Sequence, residues 1–578
     1  MTDEDGPYIE LMTGVYTDNQ PDFTWLQPYE EKTFTQYFIP YRELGVVKNA
    51  SSDLLMNIEP EGNASRLKIF ATSVQKDLHI VVVKEDEQVL DIIRDVTPEM
   101  ILEEWVPVDT LIGLRVSICN SKGKLLLSWE PEPNEIKEVP EPAKAALDPK
   151  DIQTTEQLYL TGLHLEQYRH ATYAATDYYE EALSRDPDDV RNNNAMGLWL
   201  IRKGQFAKAE PYLRRAVKTL TEKNPNPYDG EPLYNLGLSL KYQGKTDEAY
   251  DCFYKACWNA AWQDAGYYSL AQLSASKGNW EDALYEIDKS LLRNWHNLRG
   301  RHLKAVVLRH LGRVDEALDL IRESLAIDCF NFGCSFEEYL LTGEKAVLDD
   351  LLVRMRSEGH NYEELSLDYA SAGCWEEALK VVEVAFEVVA SERTLLYYYK
   401  SWFLLSLGRL KEAEMAICVA EHQSADCCFP NALEAIKALQ EVIRFADVVP
   451  KAHYYLGNLW YDKRQYPEAI AEWEKSVEQD DTFPTVLRNL SLAYFNKLDK
   501  QQEAVALLER AFKLDIRDAR ILMELDQLYK RLNRPHADRL DLLDKLKEVA
   551  FSRDDLYLEY VTLLNQLGRY EEAIHMID

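Results

Sequence analysis

The sequence predicts a multidomain protein of β plus all-α class, a β-sandwich region followed by a long α-solenoid. Three observations predict it. Short alternating apolar segments with turn signals fill roughly the first 130 residues. Helical periodicity takes over after Asp148, and one pattern of small residues then returns at a period of 34 residues.

Size and charge bound the reading. At 578 residues, 46% hydrophobic and 11% aromatic, the chain holds more than one core. With 65 basic and 99 acidic residues its formal net charge is −34. Such a chain repels phosphate backbones and anionic lipid, so neither nucleic acid nor membrane is the expected partner. No apolar run nears the ~20 residues that span a bilayer, and Met1–Asp5 lacks the features of a signal peptide. Nine cysteines without a CxxC pair read as reduced thiols of a cytoplasmic protein.

Within the β region, segments such as Leu67–Phe70 and Leu111–Cys119 alternate between turns at Glu61-Gly62-Asn63 and Ser121–Lys124. About six such strands from Leu54 to Trp129 predict a small immunoglobulin-like sandwich over residues 50–130. Residues 1–48 hold two or three strands, too few to bury a face, and read as the C-terminal remnant of a larger β domain. A stiff Pro/Glu linker spans 131–148.

Residues 149–578 are repetitive. Gly197, Gly204, Ala209 and Ala216 form one set; Gly237, Gly244, Ala249 and Ala256 form the next. Sets begin again at Ala271 and Ala305, with weaker copies at Gly162, Ser366, Ser401, Gly457, Ser491, Asp526 and Val561. This pattern resembles the tetratricopeptide repeat, and about eleven units are expected, the last truncated at Asp578. Extra residues between Ala305 and Ser366, and between Ser401 and Gly457, mark insertions, the first expected as an irregular helix pair around Phe336–Arg356.

Catalytic signatures are absent: no phosphate-binding glycine loop, HExxH, GxSxG or CxxC. The eleven histidines are scattered, so no metal and no cofactor is expected. One segment is dense in chemistry. Glu10 lies among Tyr8, Ile9 and Leu11, ahead of Asp18, Asn19, Asp22 and Trp25, a set suited to a hydroxyl-rich ligand. The alternative is an Asx-rich turn with a structurally tied carboxylate.

The order of a strand glutamate, Pro21-Asp22-Phe23, Leu26-Gln27-Pro28-Tyr29-Glu30 and an aromatic strand resembles the C-terminal end of aldose 1-epimerases. It resembles more closely a bacterial family joining a mutarotase-like β domain to tetratricopeptide repeats. That resemblance implies Glu10 as general base and Asp18, Asn19, Asp22 and Trp25 as sugar-binding residues. Here the Pro-Asp pair stands farther from the glutamate, Met12 replaces a glutamine, and the acid histidine is missing.

The repeats supply the other candidate site. Tyr159, Tyr234, Tyr268, Tyr398 and Tyr454 share the first-helix position that usually faces the concave groove, with Trp402, Tyr461 and Phe495 nearby. Their rigid amphipathic surface suits a protein or peptide partner, unless they pack between successive first helices. The Lys and Asn set that repeat co-chaperones use to clamp a peptide carboxylate is not visible, because Leu198, Leu238 and Val306 hold the matching places. The expected function is a protein-interaction scaffold carrying part of a carbohydrate-handling domain. The alternative is a carbohydrate-active enzyme, epimerase- or glycosidase-like, completed by residues outside this chain and with a carbohydrate as partner.

Overall fold

The computed structural model of the chain describes residues 33–132, 145–167, 172–389, 394–426 and 428–577. Two compact units result, Met1–Ala145 and Ala146–Asp578.

The first unit contains β1 (Asn49–Ala50), β2 (Leu54–Glu61), β3 (Ala64–Ala71), β4 (Gln75–Lys84), β5 (Glu87–Val96), β6 (Leu102–Val106), β7 (Leu114–Cys119) and β8 (Leu125–Trp129). They form two four-stranded antiparallel sheets, ordered β1-β2-β3-β6 and β5-β4-β7-β8. The period-2 alternation of a strand sends Leu67, Ile69 and Ala71 of β3 and Leu78, Ile80 and Val82 of β4 into one shared core. Strand pairing fixes the register, with Ile58 opposite Leu67 and Ile80 opposite Ile118. Seven strands lie between Leu54 and Trp129, one more than the alternation suggests. Residues 33–48 contain no strand.

The second unit is a run of helix pairs. It opens with α1 (Thr155–Gln167) and α2 (Ala175–Arg185), α3 (Val190–Arg202) and α4 (Phe206–Thr221), then α5 (Glu231–Tyr242) and α6 (Thr246–Ala256). Next come α7 (Gln263–Ser276) and α8 (Trp280–Arg293), α9 (Leu298–His310) and α10 (Val314–Ile327), then α11 (Phe332–Thr342) and α12 (Lys345–Met355). After these stand α13 (Gly359–Ser371) and α14 (Trp375–Val388), α15 (Thr394–Ser406) and α16 (Leu410–His422), and a single helix α17 (Leu433–Phe445). The series ends with α18 (Pro450–Asp462) and α19 (Tyr466–Gln479), α20 (Pro484–Lys497) and α21 (Gln501–Leu514), α22 (Ala519–Arg531) and α23 (His536–Lys545), α24 (Lys547–Ala550), α25 (Asp554–Gln566) and α26 (Tyr570–Ile577). The two insertions are thus α11 with α12, two short regular helices, and the unpaired α17.

Packing explains why small residues anchor each pair. A β-carbon at Gly197 would lie 2.4 Å from Leu213, and one at Gly237 would lie 2.6 Å from Phe253. At Gly457 it would lie 2.4 Å from the Trp473 ring. The second helix presses a bulky side chain onto the first at that point, and only a missing side chain admits it.

The inner face of this array closes on its own chain. The Tyr242 hydroxyl on α5 donates to Glu434 on α17 at 2.8 Å, and Gln272 on α7 donates to Ser371 on α13 at 2.8 Å. Arg299 on α9 pairs with Glu364 and Asp368 on α13 at 2.7 and 3.3 Å. The turn between α3 and α4 reaches α19, where Gln205 and Lys208 both donate to Glu468.

Candidate interaction cleft

Closure decides which of the candidate groove residues face open space. Tyr398 is fully buried, its hydroxyl donating to Glu421 at 2.7 Å and its ring set edge-on to Tyr455. Trp402 is buried against Trp375, ring centroids 5.4 Å apart. Tyr234 stacks on Trp262, and Tyr268 is enclosed beside Gln272, Arg299 and Asp368. Tyr159 is half-buried under the Arg191 guanidinium, and Phe495 under that of Arg531. Tyr454 and Tyr461 line an open cleft of about 550 Å³ between α18, α20 and α22, while Trp402 borders a smaller cavity of about 260 Å³. The first-helix position is common to five of these tyrosines, so their different fates come from what lies across the groove. Glu10, Asp18, Asn19, Asp22 and Trp25 lie outside the described residues.

The wall of the cleft is built on Trp473. Its indole Nε1 donates to the Tyr454 carbonyl at 3.2 Å and to Asn458 Oδ1 at 3.1 Å, which fixes the ring as a platform beside Tyr461. Asn489 Nδ2 also donates to Asn458 Oδ1, at 3.1 Å, and Arg488 Nη1 donates to Asn489 Oδ1 at 3.1 Å. The chain of donors ends at Glu524, which accepts from Arg488 Nε at 2.6 Å and from Arg520 Nε at 3.4 Å. Two guanidiniums therefore share one carboxylate, so Arg520 is only partly neutralised by Glu524. The Arg520 side chain is 62% exposed and reaches solvent. Asp426, Asp462 (one turn beyond Asn458 on α18) and Phe429, 78% exposed, line the same cleft. Burial raises the Tyr454 phenol above its ordinary pKa, so it acts as a neutral hydrogen-bonding group.

Asn458, Asn489, Arg488 and Arg520 escape a reading of the strong repeats. Asn458 directly follows Gly457, the place that Leu198, Leu238 and Val306 hold after their own anchors. The signal is present in the sequence, in one of the weaker copies. Such a wall can hold an extended chain: asparagine amides match backbone donors and acceptors, aromatics take an apolar side chain, and arginines take a carboxylate.

One cluster has a metal-ligand composition. His310, Cys374 and Glu377 bring ligand atoms within 4.8 Å of one another. Arg309 Nη2 and His310 Nε2 both lie on Glu377 Oε1, at 2.8 and 3.0 Å, and the paired guanidinium beside the carboxylate opposes a cation there.

Comparisons with known proteins fall on the same two regions. Residues 49–129 match the family model of the YphG-like protein, second domain, and residues 450–483 match that of the tetratricopeptide repeat. The second match spans α18 and α19, the helices that carry Tyr454, Asn458 and Trp473. The chain is similar to the human protein named tetratricopeptide repeat protein 7A, 34% identical over 99 residues, 17% of this chain and 11% of that protein's length. Among solved structures it is similar to the MamA protein, at 21% identity and a TM-score of 0.26, over 30% of this chain and 91% of that one. It is also similar to a tetratricopeptide repeat protein from Parabacteroides merdae, at 14% identity and a TM-score of 0.24, over 53% and 98% of the two chains. This chain carries tetratricopeptide repeats behind an N-terminal YphG-like β domain.

Proposed function

We propose that the protein is an interaction scaffold that captures an extended peptide segment of a partner in the cleft between α18, α20 and α22. The observation that carries this reading is the cleft itself: about 550 Å³ of open space beside the repeat-matching α18 and α19, walled by Trp473, Asn458 and Asn489 and flanked by two arginines of α20 and α22. The bound segment presents an apolar side chain to Tyr461 and Trp473 and an acidic group to Arg520. The free thiols, Cys119 and Cys334 among them, suit a reducing cytoplasmic setting.

Selection of a phage-displayed random peptide library on the full chain tests this. The expected outcome is a consensus with one acidic and one apolar position, and Arg520→Ala weakening the selected peptide by about tenfold. Selected peptides that bind Arg520→Ala and Tyr461→Ala with unchanged affinity overturn the cleft as their site.

A sugar-handling role is the second reading. It is supported by the Glu10 and Pro21-Asp22-Phe23 motif together with the second-domain match that starts downstream of it, at residue 49. Its test is a monosaccharide binding screen with Glu10→Gln as control. Sugar binding indifferent to that change removes Glu10 from the site.

A further inference from the structure

Where the array closes on itself, a second cavity of about 260 Å³ remains, walled by α5 and α7 on one side and by α13, α14, α15 and α17 on the other. Its walls are aromatic: Trp375 and Trp402 set at 67° to each other, and Tyr242, itself stacked on Phe206. Two ammonium groups line it, Lys241 and Lys437.

Neither lysine has a carboxylate partner among the described residues. Lys241 Nζ donates to the neutral Gln272 Oε1 at 2.6 Å, and Lys437 lies over the Trp402 ring at 5.9 Å. The one carboxylate lining the cavity, Glu434, accepts from the Tyr242 hydroxyl at 2.8 Å and attracts Lys241 without reaching it as an ion pair. Burial lowers the Lys241 pKa to about 8, the mark of an ammonium with too little solvation. A chain with a net charge of −34 has carboxylates in plenty, yet leaves two lysines facing one aromatic cavity. Both lysines are half-buried, and a partly desolvated charge without an ion-pair partner is relieved by a bound counter-charge.

We propose that this cavity is a binding site for a small planar aromatic carboxylate. Its ring packs against the edge-to-face pair Trp375 and Trp402, and its carboxylate bridges Lys241 and Lys437. Two ammoniums against one carboxylate leave an excess of one positive charge, which matches a monoanion. The ligand touches α5 as well as α14, α15 and α17, so binding also holds the closed array shut.

Isothermal titration calorimetry of the full chain with 2-naphthoate, 2-naphthol and acetate tests the site. The expected result is 2-naphthoate binding about tenfold more tightly than its neutral match, with acetate silent. Lys437→Met, a substitution that breaks no ion pair, should lower 2-naphthoate affinity about tenfold and leave 2-naphthol unchanged, with the melting curve as the folding control. Three results overturn the proposal: no heat with 2-naphthoate up to about 5 mM, equal affinity for 2-naphthol, or indifference to Lys437→Met. Loss of 2-naphthoate binding in Arg520→Ala places the anion in the α18–α22 cleft and overturns it as well.

Discussion

The Gln205 side-chain amide donates to Glu468 at 2.8 Å across a sequence separation of 263 residues. Lys208 reaches the same carboxylate oxygen at 2.7 Å, and the Gly204 backbone beside them packs on Ile436 and Trp460. A turn between two early helices is thereby locked against helices far along the chain.

Gly204 and Gly244 offer a direct check of that lock. Both have positive φ, 74° and 76°, so alanine strains either backbone by about 1 kcal/mol. A β-carbon at Gly204 would meet Ile436 Cδ1 at 2.4 Å, whereas at Gly244 nothing lies within 4 Å. Gly204→Ala should therefore cost about 1–3 kcal/mol more than Gly244→Ala in chemical denaturation. Equal costs would mean that the array is open in solution.

Tyr398 and Trp402 should behave as core residues. Trp402→Ala is expected to cost about 3–5 kcal/mol through the cavity it leaves, and Tyr398→Phe about 1 kcal/mol through the lost bond to Glu421. Thermal melts followed by circular dichroism read both. A near-unchanged midpoint in Trp402→Ala would return that side chain to an open groove.

Asp368 makes stability depend on pH. Burial holds its carboxyl at about 7, above the ordinary 3.8, against the pull of the Arg299 guanidinium. The folded chain thus keeps a proton that the unfolded chain has already released, and stability falls as pH rises from 3.8 to about 7. Asp368→Asn removes this loss. Its melting temperature should match the wild type near pH 4 and exceed it near pH 8; a gap that stays constant with pH would refute the assignment.

The Arg539–Asp526 pair should control the last repeats. Both side chains are 1% exposed; Nε donates to Oδ1 at 2.9 Å and Nη2 to Oδ2 at 2.6 Å, with Glu559 as a third member. Arg539→Met leaves Asp526 buried without its cation and should cost about 3–5 kcal/mol, felt first in hydrogen exchange of α21–α26. Adding Asp526→Leu should recover most of the loss. A double variant as weak as the single one would show that packing, not charge, governs the site.

Asp526 also shows how much of the array was legible. It holds a repeat-anchor place usually given to Gly, Ala or Ser, so the register survives there although the residue type does not. The structure supplies the reason, since Arg539 takes up the buried charge. Asn458 was equally present in the sequence, but its partners Asn489 and Trp473 become neighbours only once α18, α19 and α20 stack.

By itself the sequence determined the β region, the repeat period and the anchors, because these depend on local periodicity and on what a helix crossing a few residues away can admit. The tertiary structure decided which buried first-helix aromatics are wholly enclosed and which border an open cleft. Tyr398 and Tyr454 hold the same repeat position, yet Tyr398 is enclosed within the closed array and Tyr454 lines an open cleft. No local pattern encodes that difference, because it depends on how small rotations between successive helix pairs accumulate until Tyr242 meets Glu434 and Gln205 meets Glu468.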